Sequence, residues 1–280
     1  MTEKGEKNSE KRKKRKESFI YGNYRCYYSY RIDRKLSEDP RLTLMKKEWF
    51  EGKDCLDIGC NQGLITINIA NKFCCRKILG IDIDPGLIEA ARWNLRRIAR
   101  AKSPGGRLME TSKPLISNGD RALDHHISQS TGEDEVRSSQ EALHPIEGTL
   151  LERVSFRAEN IIETTQASRE MYDTILCLSV TKWIHLNWGD EGLISLFVKI
   201  WRLLRPGGIL LLEPQPWSSY KSNKRVSEVA TLNYSRIAFT PDVFQEILLD
   251  KIGFRSMEDI SGSLAGTVTG FNRPIFVLRK

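Results

Sequence analysis

The chain has 280 residues and a formal net charge of +8, and this length suits one large α/β domain better than two full domains. No apolar run approaches the roughly 20 residues of a membrane-spanning helix, and no apolar segment follows the basic N-terminus, so we expect a soluble, non-secreted protein without a membrane partner. The six cysteines show no CxxC pairing, which favours a reducing compartment and argues against disulfides or zinc.

The first 18 residues are too polar to bury apolar surface and are predicted to form a disordered basic tail. They hold eight basic and four acidic residues, and so supply +4 of the net charge. Residues 11–16 are all lysine or arginine, which is typical of nuclear import signals and of nucleic-acid contacts. A solvated tail without a function is the alternative interpretation.

An aromatic and basic segment follows at residues 19–31. It contains five tyrosines and two arginines, and it has no helix or strand period. Tyrosine hydroxyls and guanidinium groups suit phosphate, and aromatic faces suit bases. An arm whose rings pack on the domain is an equally good interpretation. Beyond this segment, apolar residues at helical spacing predict a helix over residues 41–50.

Strands and helices alternate from residue 54 onward. The pattern predicts strands at 54–58 and 77–83 and helices at 64–72 and 85–99. This βαβα order is typical of a parallel sheet in an α/β domain. A loop from Gly59 to Gly63 joins the first strand to its helix, and Asp57 lies just before it. Asp82 follows Gly59 by 23 residues, which is about the spacing of an acid that binds a ribose.

Residues 101–150 interrupt the alternation, with eight acidic and five basic residues among glycines, prolines and serines. We predict a disordered insert there, within a domain that extends from residue 19 to residue 280. Its histidines lack metal-ligand spacing, so we predict no metal site. After the insert, the pattern predicts strands at 154–158, 172–180, 209–212, 254–260 and 275–279 and helices at 189–204 and 240–251.

The loop after the first strand indicates which cofactor the sheet binds. An acid at the end of the second strand suits either NAD or S-adenosylmethionine. The spacing of Gly59 and Gly63 lacks the G-x-G-x-x-G pattern with which dinucleotide-binding proteins hold a pyrophosphate. S-adenosylmethionine has no pyrophosphate, and its ammonium group suits Asp57 while its ribose diol suits Asp82. The glycine spacing therefore favours S-adenosylmethionine.

This layout resembles the class I methyltransferases, whose glycine motif reads D-x-G-x-G-x-G. Asn61 stands where the middle glycine usually lies, and asparagine tolerates left-handed backbone better than most residues. Four further motifs resemble the methylphosphate capping enzyme family. They are YGNY at 21–24, DIGCN at 57–61, LCLSVTKWIHLNWGDEG at 176–192 and LEPQPWSSY at 212–220.

The resemblance implies a Rossmann-like class I methyltransferase fold with a seven-stranded, mostly parallel sheet. It also implies an enzyme that uses S-adenosylmethionine to methylate the 5′-terminal γ-phosphate of a small nuclear RNA, in the nucleus, with a La-related protein as a partner. The YGNY and TKW motifs resemble the γ-phosphate branch of the family more closely than its 5′-monophosphate branch. Methylation of 5′-monophosphate RNA, an RNA-end scaffold without turnover and an NAD-dependent oxidoreductase are the alternatives.

The predicted site has an acceptor side and a cofactor side. A terminal phosphate is already anionic at neutral pH, so its methylation needs alignment and positive charge more than a general base. The predicted acceptor residues are Lys182, Tyr21, Arg25 and His185. The predicted cofactor residues are Asp57, Gly59, Cys60, Asn61, Asp82, Ile83, Asn160, Ile161 and Leu178, to which the resemblance adds Tyr21 and Arg31. We also expect Glu213 to accept main-chain N–H bonds from a loop.

Overall fold

The computed structural model describes residues 19–24, 38–102, 148–164, 171–264 and 273–280. These residues build one seven-stranded sheet in the order β3-β2-β1-β4-β5-β7-β6, in which β7 runs antiparallel to both of its neighbours and every other pairing is parallel. The strands are β1 (Asp54–Ile58), β2 (Lys77–Asp82), β3 (Val154–Ala158), β4 (Tyr172–Leu178), β5 (Leu204–Glu213), β6 (Ser256–Asp259) and β7 (Phe276–Arg279). The predicted seven-stranded, mostly parallel sheet is confirmed.

Helices cover both faces of the sheet. They are α1 (Arg41–Leu44), α2 (Leu64–Phe73), α3 (Pro85–Lys102), α4 (Leu150–Arg153), α5 (Thr181–Leu203), α6 (Trp217–Asn223), α7 (Glu228–Arg236) and α8 (Phe244–Glu246), which continues into a π-helical turn at Ile247–Ile252. Short 3₁₀ turns lie at Lys47–Trp49, Pro241–Val243 and Ser261–Leu264. Among the described residues, no helix is both long enough and apolar enough to cross a membrane.

The central strands are buried on both faces, as a parallel sheet between two helical layers requires. Leu176 packs with α2 and α3, whereas its neighbours Ile175 and Cys177 pack with α5 and α8. This alternation follows the two-residue period of a strand, in which successive side chains point to opposite faces. The continuous apolar run of β4 therefore contributes side chains to the hydrophobic clusters on both faces of the sheet.

The structure extends the predicted elements most around β4 and β5. The helix after β4 begins at Thr181, not at the predicted residue 189, and Gly189 (φ 65°, ψ −166°) breaks it into two helical pieces. Strand β5 spans ten residues, and the sequence pattern did not indicate α6 or α7. The helix predicted over 41–50 is a single α-turn, because Met45 is extended (φ −82°, ψ 132°), followed by a 3₁₀ turn.

Two predicted disordered segments lie largely outside the described residues. The basic tail at 1–18 is one of them, and most of the insert is the other. The ends of the predicted insert are ordered, since residues 101–102 complete α3 and Leu150 begins α4. The disorder of the remainder stays a prediction.

Candidate active site

A cavity of about 470 Å³ opens where β1, β2 and β4 end at their carboxyl edge. This edge is where open α/β sheets bind their ligands, and the volume lies in the range of small-molecule sites. The cavity brings together most of the residues predicted from the sequence, namely Tyr21, Asp57, Gly59, Cys60, Asn61, Asp82, Ile83, Asn160, Ile161, Leu178 and Lys182.

The turn after β1 forms one wall of the cavity. Gly59 has φ 71°, and a Cβ atom placed there would lie 2.4 Å from Cγ2 of Val180, so both the conformation and the space require glycine. The N–H groups of Gly59 and Cys60 both donate to the carbonyl of Ile81, at 2.8 and 3.0 Å. Asn61 adopts φ 52°, which confirms that asparagine can replace a glycine at a left-handed position.

Asp57 lies at the base of this wall and is only 3% exposed. The hydroxyl of Thr66 donates to its Oδ2 at 2.6 Å. Burial raises the pKa of Asp57 to about 6, and the hydroxyl of Thr66 and the charge of Arg41 oppose that rise. A cationic ligand beside a carboxyl group with this pKa would stabilise the ionised form of that group. The ammonium group of S-adenosylmethionine has the required charge.

Asp82 is held in place by main-chain N–H groups. Its Oδ2 accepts from the N–H of Asn61 at 2.9 Å, and its Oδ1 accepts from the N–H of Asp84 at 3.0 Å. Burial is the main cause that raises its pKa. Each carboxylate oxygen has a second lone pair, which suits the two hydroxyl donors of a ribose diol.

Asn23 provides a further indication that the cavity binds a hydrogen-bond donor. Its Nδ2 donates to Oδ2 of Asp84 at 2.6 Å. Its Oδ1, however, is buried without a hydrogen-bond partner among the described residues. Because an unsatisfied buried acceptor is costly, a ligand N–H or O–H is expected to complete this site. The donor groups of S-adenosylmethionine fit this requirement.

The segment after β3 forms an apolar part of the cavity wall. Asn160 turns the chain, with its Oδ1 accepting from the N–H of Ile162 at 3.1 Å. Half-buried Ile161 and Ile162 line the cavity there, and apolar walls of this kind suit a planar ring. Lys199 of α5 fixes the segment from outside, donating to the carbonyls of Ile161, Ile162 and Thr164 at 2.8, 2.5 and 3.0 Å.

Residues 19–24 form an N-terminal strap that runs from one rim of the cavity to the other. On the cofactor side, Asn61 donates to the carbonyl of Tyr24 at 3.2 Å. On the opposite side, Asn187 donates to the carbonyl of Ile20 at 2.8 Å, and the ring of Tyr21 stacks on Trp188 with centroids 5.7 Å apart. Gly22 lies so close to Trp183 that an added Cβ would come within 2.1 Å of the indole.

Lys182, the lysine predicted to bind the acceptor, lies in the first turn of α5, just beyond the carboxyl end of β4. It is only 5% exposed, and it lines the cavity. Its ammonium donates to Oγ of Ser219 at 2.9 Å and to Oδ1 of Asn223 at 2.6 Å, and it lies 4.1 Å from the centroid of the Trp183 ring. These two neutral partners orient the ammonium toward the cavity wall.

The loop between β4 and α5 is held by groups that the sequence did not reveal. Ser179 adopts the left-handed region (φ 63°), which is unfavourable for a residue other than glycine. Its carbonyl accepts from Nε2 of Gln215, and its hydroxyl donates to Oε2 of Glu213 at 2.8 Å. Oε1 of Gln215 accepts from the N–H of Lys182 at 3.1 Å. The Glu-Pro-Gln segment therefore fixes the start of α5.

Glu213, which was predicted to accept main-chain N–H bonds from a loop, belongs to a buried ion-pair network. Nη1 of Arg41 donates to Oε2 of Glu213 at 2.8 Å, and the same guanidinium pairs with Asp39 at 2.8 Å. Arg41 and Asp39 are 2% and 3% exposed. Arg273 lines the cavity nearby, and its Nη1 donates to the hydroxyl of Ser179 at 2.9 Å. Sequence spacing gave no signal for the pairs of Arg41 with Glu213 and of Arg273 with Ser179, whose members are far apart in the chain.

His185 does not line the cavity, and the structure corrects its predicted contact with phosphate. The ring is fully buried. Its Nε2 lies 2.6 Å from Oδ1 of Asp190, and its Nδ1 lies 3.4 Å from the hydroxyl of Tyr220. Burial lowers the pKa of His185, while Asp190 opposes that change. His185 therefore stabilises the junction of α5 with α6. Arg25 and Arg31 lie outside the described residues, and their roles stay predictions.

The chain is similar to known proteins in its sequence and in its fold. The model of the Bicoid-interacting protein 3 (Bin3) family matches residues 172–280. A protein of Arabidopsis thaliana named "Probable RNA methyltransferase" is 52% identical over 96% of this chain and 83% of its own length. The U6 snRNA methylphosphate capping enzyme Amus of Drosophila melanogaster is 38% identical over 94% of this chain and 75% of its own length.

Two further similar proteins are covered only in part by this chain. The 7SK snRNA methylphosphate capping enzyme of Mus musculus is 40% identical over 96% of this chain, which spans only 42% of that enzyme. A solved structure from Nostoc punctiforme, provisionally assigned as an O-methyltransferase, superposes with a TM-score of 0.50 at 16% identity, covering 86% of this chain and 55% of the other. At that identity the similarity concerns the fold alone.

Proposed function

The chain belongs to the methylphosphate capping enzyme family, and from this premise we propose that it methylates the 5′-terminal phosphate of a small nuclear RNA, with the γ-phosphate of a triphosphate end as the preferred acceptor. It is an S-adenosylmethionine-dependent methyltransferase by fold and by relatives. The observation that supports the acceptor most strongly is the ammonium of Lys182, which lines the same cavity as the carboxylates of Asp57 and Asp82.

The acidic and the basic residues of the cavity have different roles. S-adenosylmethionine supplies an electrophilic methyl group when it is bound. The acids of β1 and β2 suit its ammonium and ribose, so they hold the donor end of the cavity. Lys182 attracts the terminal phosphate of the RNA and places one of its oxygens for in-line attack. Since that oxygen is already anionic, no residue has to remove a proton from it. The strap and Trp183 exclude water from the reacting groups.

Neutral partners around Lys182 suit this role. Ser219 and Asn223 accept its hydrogen bonds, so the ammonium is oriented without being neutralised by either contact. A carboxylate in their place would compete with the phosphate. The hydroxyl of Tyr21, which lines the cavity and is 36% exposed, is a second donor for the same anion. Arg25 is the third group that we assign to it.

The cellular part of the proposal rests on the basic run at residues 11–16 and on the snRNA enzymes among the relatives. We assign the protein to the nucleus and to a ribonucleoprotein, with a La-related protein as its partner. Fluorescence of the tagged full chain, compared with a variant in which residues 11–16 are neutralised, tests the import function of that run. A cytoplasmic wild-type chain would contradict the assignment.

The deciding experiment supplies radiolabelled S-adenosylmethionine with one RNA sequence that ends in a 5′-triphosphate, diphosphate, monophosphate or hydroxyl group. We expect the RNA with the triphosphate end to acquire the radiolabelled methyl group. Preference for the monophosphate end would assign the protein to the other branch of the family. Equal labelling of the 5′-hydroxyl RNA, or no labelling of any RNA, would refute 5′-phosphate methylation.

A further inference from the structure

We propose that the exposed face of α3 is a second RNA-contact surface, which binds the body of the RNA whose 5′ end enters the cavity. This arginine face consists of Arg92, Trp93, Arg96, Arg97 and Arg100, all exposed to solvent. The inference rests on the proposed function, because it assumes that the acceptor is an RNA. It concerns a surface of the β3 edge of the sheet, and none of these residues lines the cavity.

The charge of the arginine face is unusually one-sided. From residue 89 to residue 101, α3 carries four arginines and a single acid, Glu89. Arg92, Arg96 and Arg100 follow one another at intervals of four, and like charges at this spacing weaken a helix. Among the described residues, no ion pair involves Arg96, Arg97 or Arg100. A polyanion would relieve this repulsion, and RNA is the polyanion that the proposed function provides.

Trp93 adds an aromatic platform to the same face. Its side chain is 58% exposed, more than that of any other large apolar residue among those described. The guanidinium of Arg97 lies 5.3 Å from the centroid of its ring. Exposed aromatic rings interleaved with cations are typical of surfaces that bind single-stranded nucleic acid, because the ring stacks on bases while the cations contact phosphates. The alternative, a core role for Trp93, is inconsistent with its exposure.

The position of α3 predicts which RNAs reach the face. The helix begins at Pro85, directly after Asp82 and Asp84, and Asp84 contacts Asn23 of the strap. With a rise of about 1.5 Å per residue, Arg92 lies about 10 Å and Arg100 about 22 Å along the axis from the start of α3. An RNA of one or two nucleotides in the cavity cannot span this distance. A longer RNA can follow the helix away from the rim.

The test compares two triple variants that remove the same charge from opposite edges of the sheet. The test variant is Arg96→Gln with Arg97→Gln and Arg100→Gln at the β3 edge. The control is Lys251→Gln with Arg255→Gln and Arg279→Gln, three exposed residues at or beside the β6 and β7 strands of the other edge. Each protein is assayed for binding and methylation of a triphosphate-ended dinucleotide and of a 30-nucleotide RNA at several salt concentrations, and its melting temperature is measured.

For the test variant we expect the KM for the long RNA to rise about tenfold near physiological salt, and the slope of log K against log salt to fall by about 2, as the loss of three phosphate contacts predicts. The KM for the dinucleotide and the affinity for S-adenosylhomocysteine should not change. Trp93→Ala should weaken binding of the long RNA severalfold without altering the salt slope, because stacking is not ionic. The control variant should bind the long RNA like the wild type.

Equal losses in the two triple variants would refute a specific surface and leave only a general effect of net charge. An unchanged KM and salt slope in the test variant would likewise refute the inference, even if that variant lost binding to an acidic protein. Failure of the proposed function is distinguishable, because the wild type would then methylate neither RNA, while direct binding of the long RNA to the two variants would still test the arginine face.

Discussion

The two sides of the cavity are built in different ways. The cofactor side uses residues at or just beyond the ends of β1, β2 and β3, and main-chain N–H groups two and twenty-one residues away fix Asp82. On the acceptor side, Lys182 depends on Ser219 and Asn223, which are 37 and 41 residues away and lie on a different helix. The position of Asp82 therefore follows from contacts close to the strand ends, while the position of Lys182 depends on long-range packing.

Lys182→Ala should separate the two sides most clearly. Removing a positioned cation at the reacting group typically costs about a hundredfold or more in turnover. We therefore expect methyl transfer to triphosphate-ended RNA to fall by about that factor, while calorimetry of S-adenosylhomocysteine gives a wild-type dissociation constant. Lys221→Ala, on the exposed side of α6, is the matched control and should retain activity. Wild-type turnover in Lys182→Ala would remove the lysine from the acceptor site.

Asp82→Ala should have the opposite effect, weakening cofactor binding while RNA binding changes little. A hydrogen bond to a charged group contributes about 1.5 to 3 kcal/mol, so the affinity for S-adenosylhomocysteine should fall by about tenfold to a hundredfold. Asp82→Asn keeps one acceptor and should give an intermediate loss. Binding of a triphosphate-ended RNA in the absence of cofactor should change little in either variant. Calorimetry that gives equal cofactor affinity in all three proteins would contradict the ribose assignment.

The pH dependence of cofactor binding tests Asp57. Its pKa of about 6 in the free protein means that the group becomes protonated as the pH falls below 6, and a neutral carboxyl group cannot pair with an ammonium. The dissociation constant of S-adenosylhomocysteine should therefore rise by up to about tenfold per pH unit below 6. Adenosine lacks the amino acid part, so its smaller pH dependence reports Asp82 alone. Equal pH profiles for the two ligands would contradict the assignment.

The raised pKa of Asp57 also makes the free energy of unfolding depend on pH. The folded-state value of Asp57 lies above its ordinary value of 3.8, so the folded protein binds more protons than the unfolded chain between about pH 4 and pH 6. The contribution of this group to the free energy of unfolding thus decreases as the pH rises through that window. Asp57→Asn should flatten this part of the stability profile in the absence of ligand, as measured by denaturant unfolding.

Lys199→Met should have the smallest effect of the series, and it tests whether the cofactor side also needs support from α5. The variant removes three bonds to the carbonyls of the segment after β3, so we expect a severalfold weaker affinity for S-adenosylhomocysteine and an unchanged kcat at saturating cofactor. Lys199→Arg should restore the affinity. A loss of kcat without a change in affinity would contradict a positioning role.

Lys280→Met is the matched control for this experiment. Lys280 also donates to main-chain carbonyls, those of Trp201 and Leu204, at 2.6 Å each, and burial lowers the pKa of both lysines. The two variants should therefore lose similar stability. Only Lys199 contacts the cavity wall, so only its replacement should weaken cofactor binding.

Sequence reasoning selected residues of β1, β2 and their following turns that the structure brings together in one cavity, because the signals for these residues are local. A glycine turn after an apolar strand, and an acid at the end of the next strand, are read within a few residues. Strands β1 and β3 were predicted with the bounds that the structure has, and the replacement of a glycine by Asn61 was explained by its backbone conformation. His185 was misplaced, because a sequence does not show which face of an unpredicted helix points into the core.

The sequence by itself determined the order of the seven strands along the chain, the cofactor class and the family, since hydrophobic periodicity, glycine positions and short motifs are properties of neighbouring residues. Only the tertiary structure decided how the acceptor lysine is held. The strained Ser179, the pair of Arg41 with Glu213 and the partners of Lys182 each join elements far apart in the chain. Such contacts arise when packing brings distant segments together, and no local spacing encodes them.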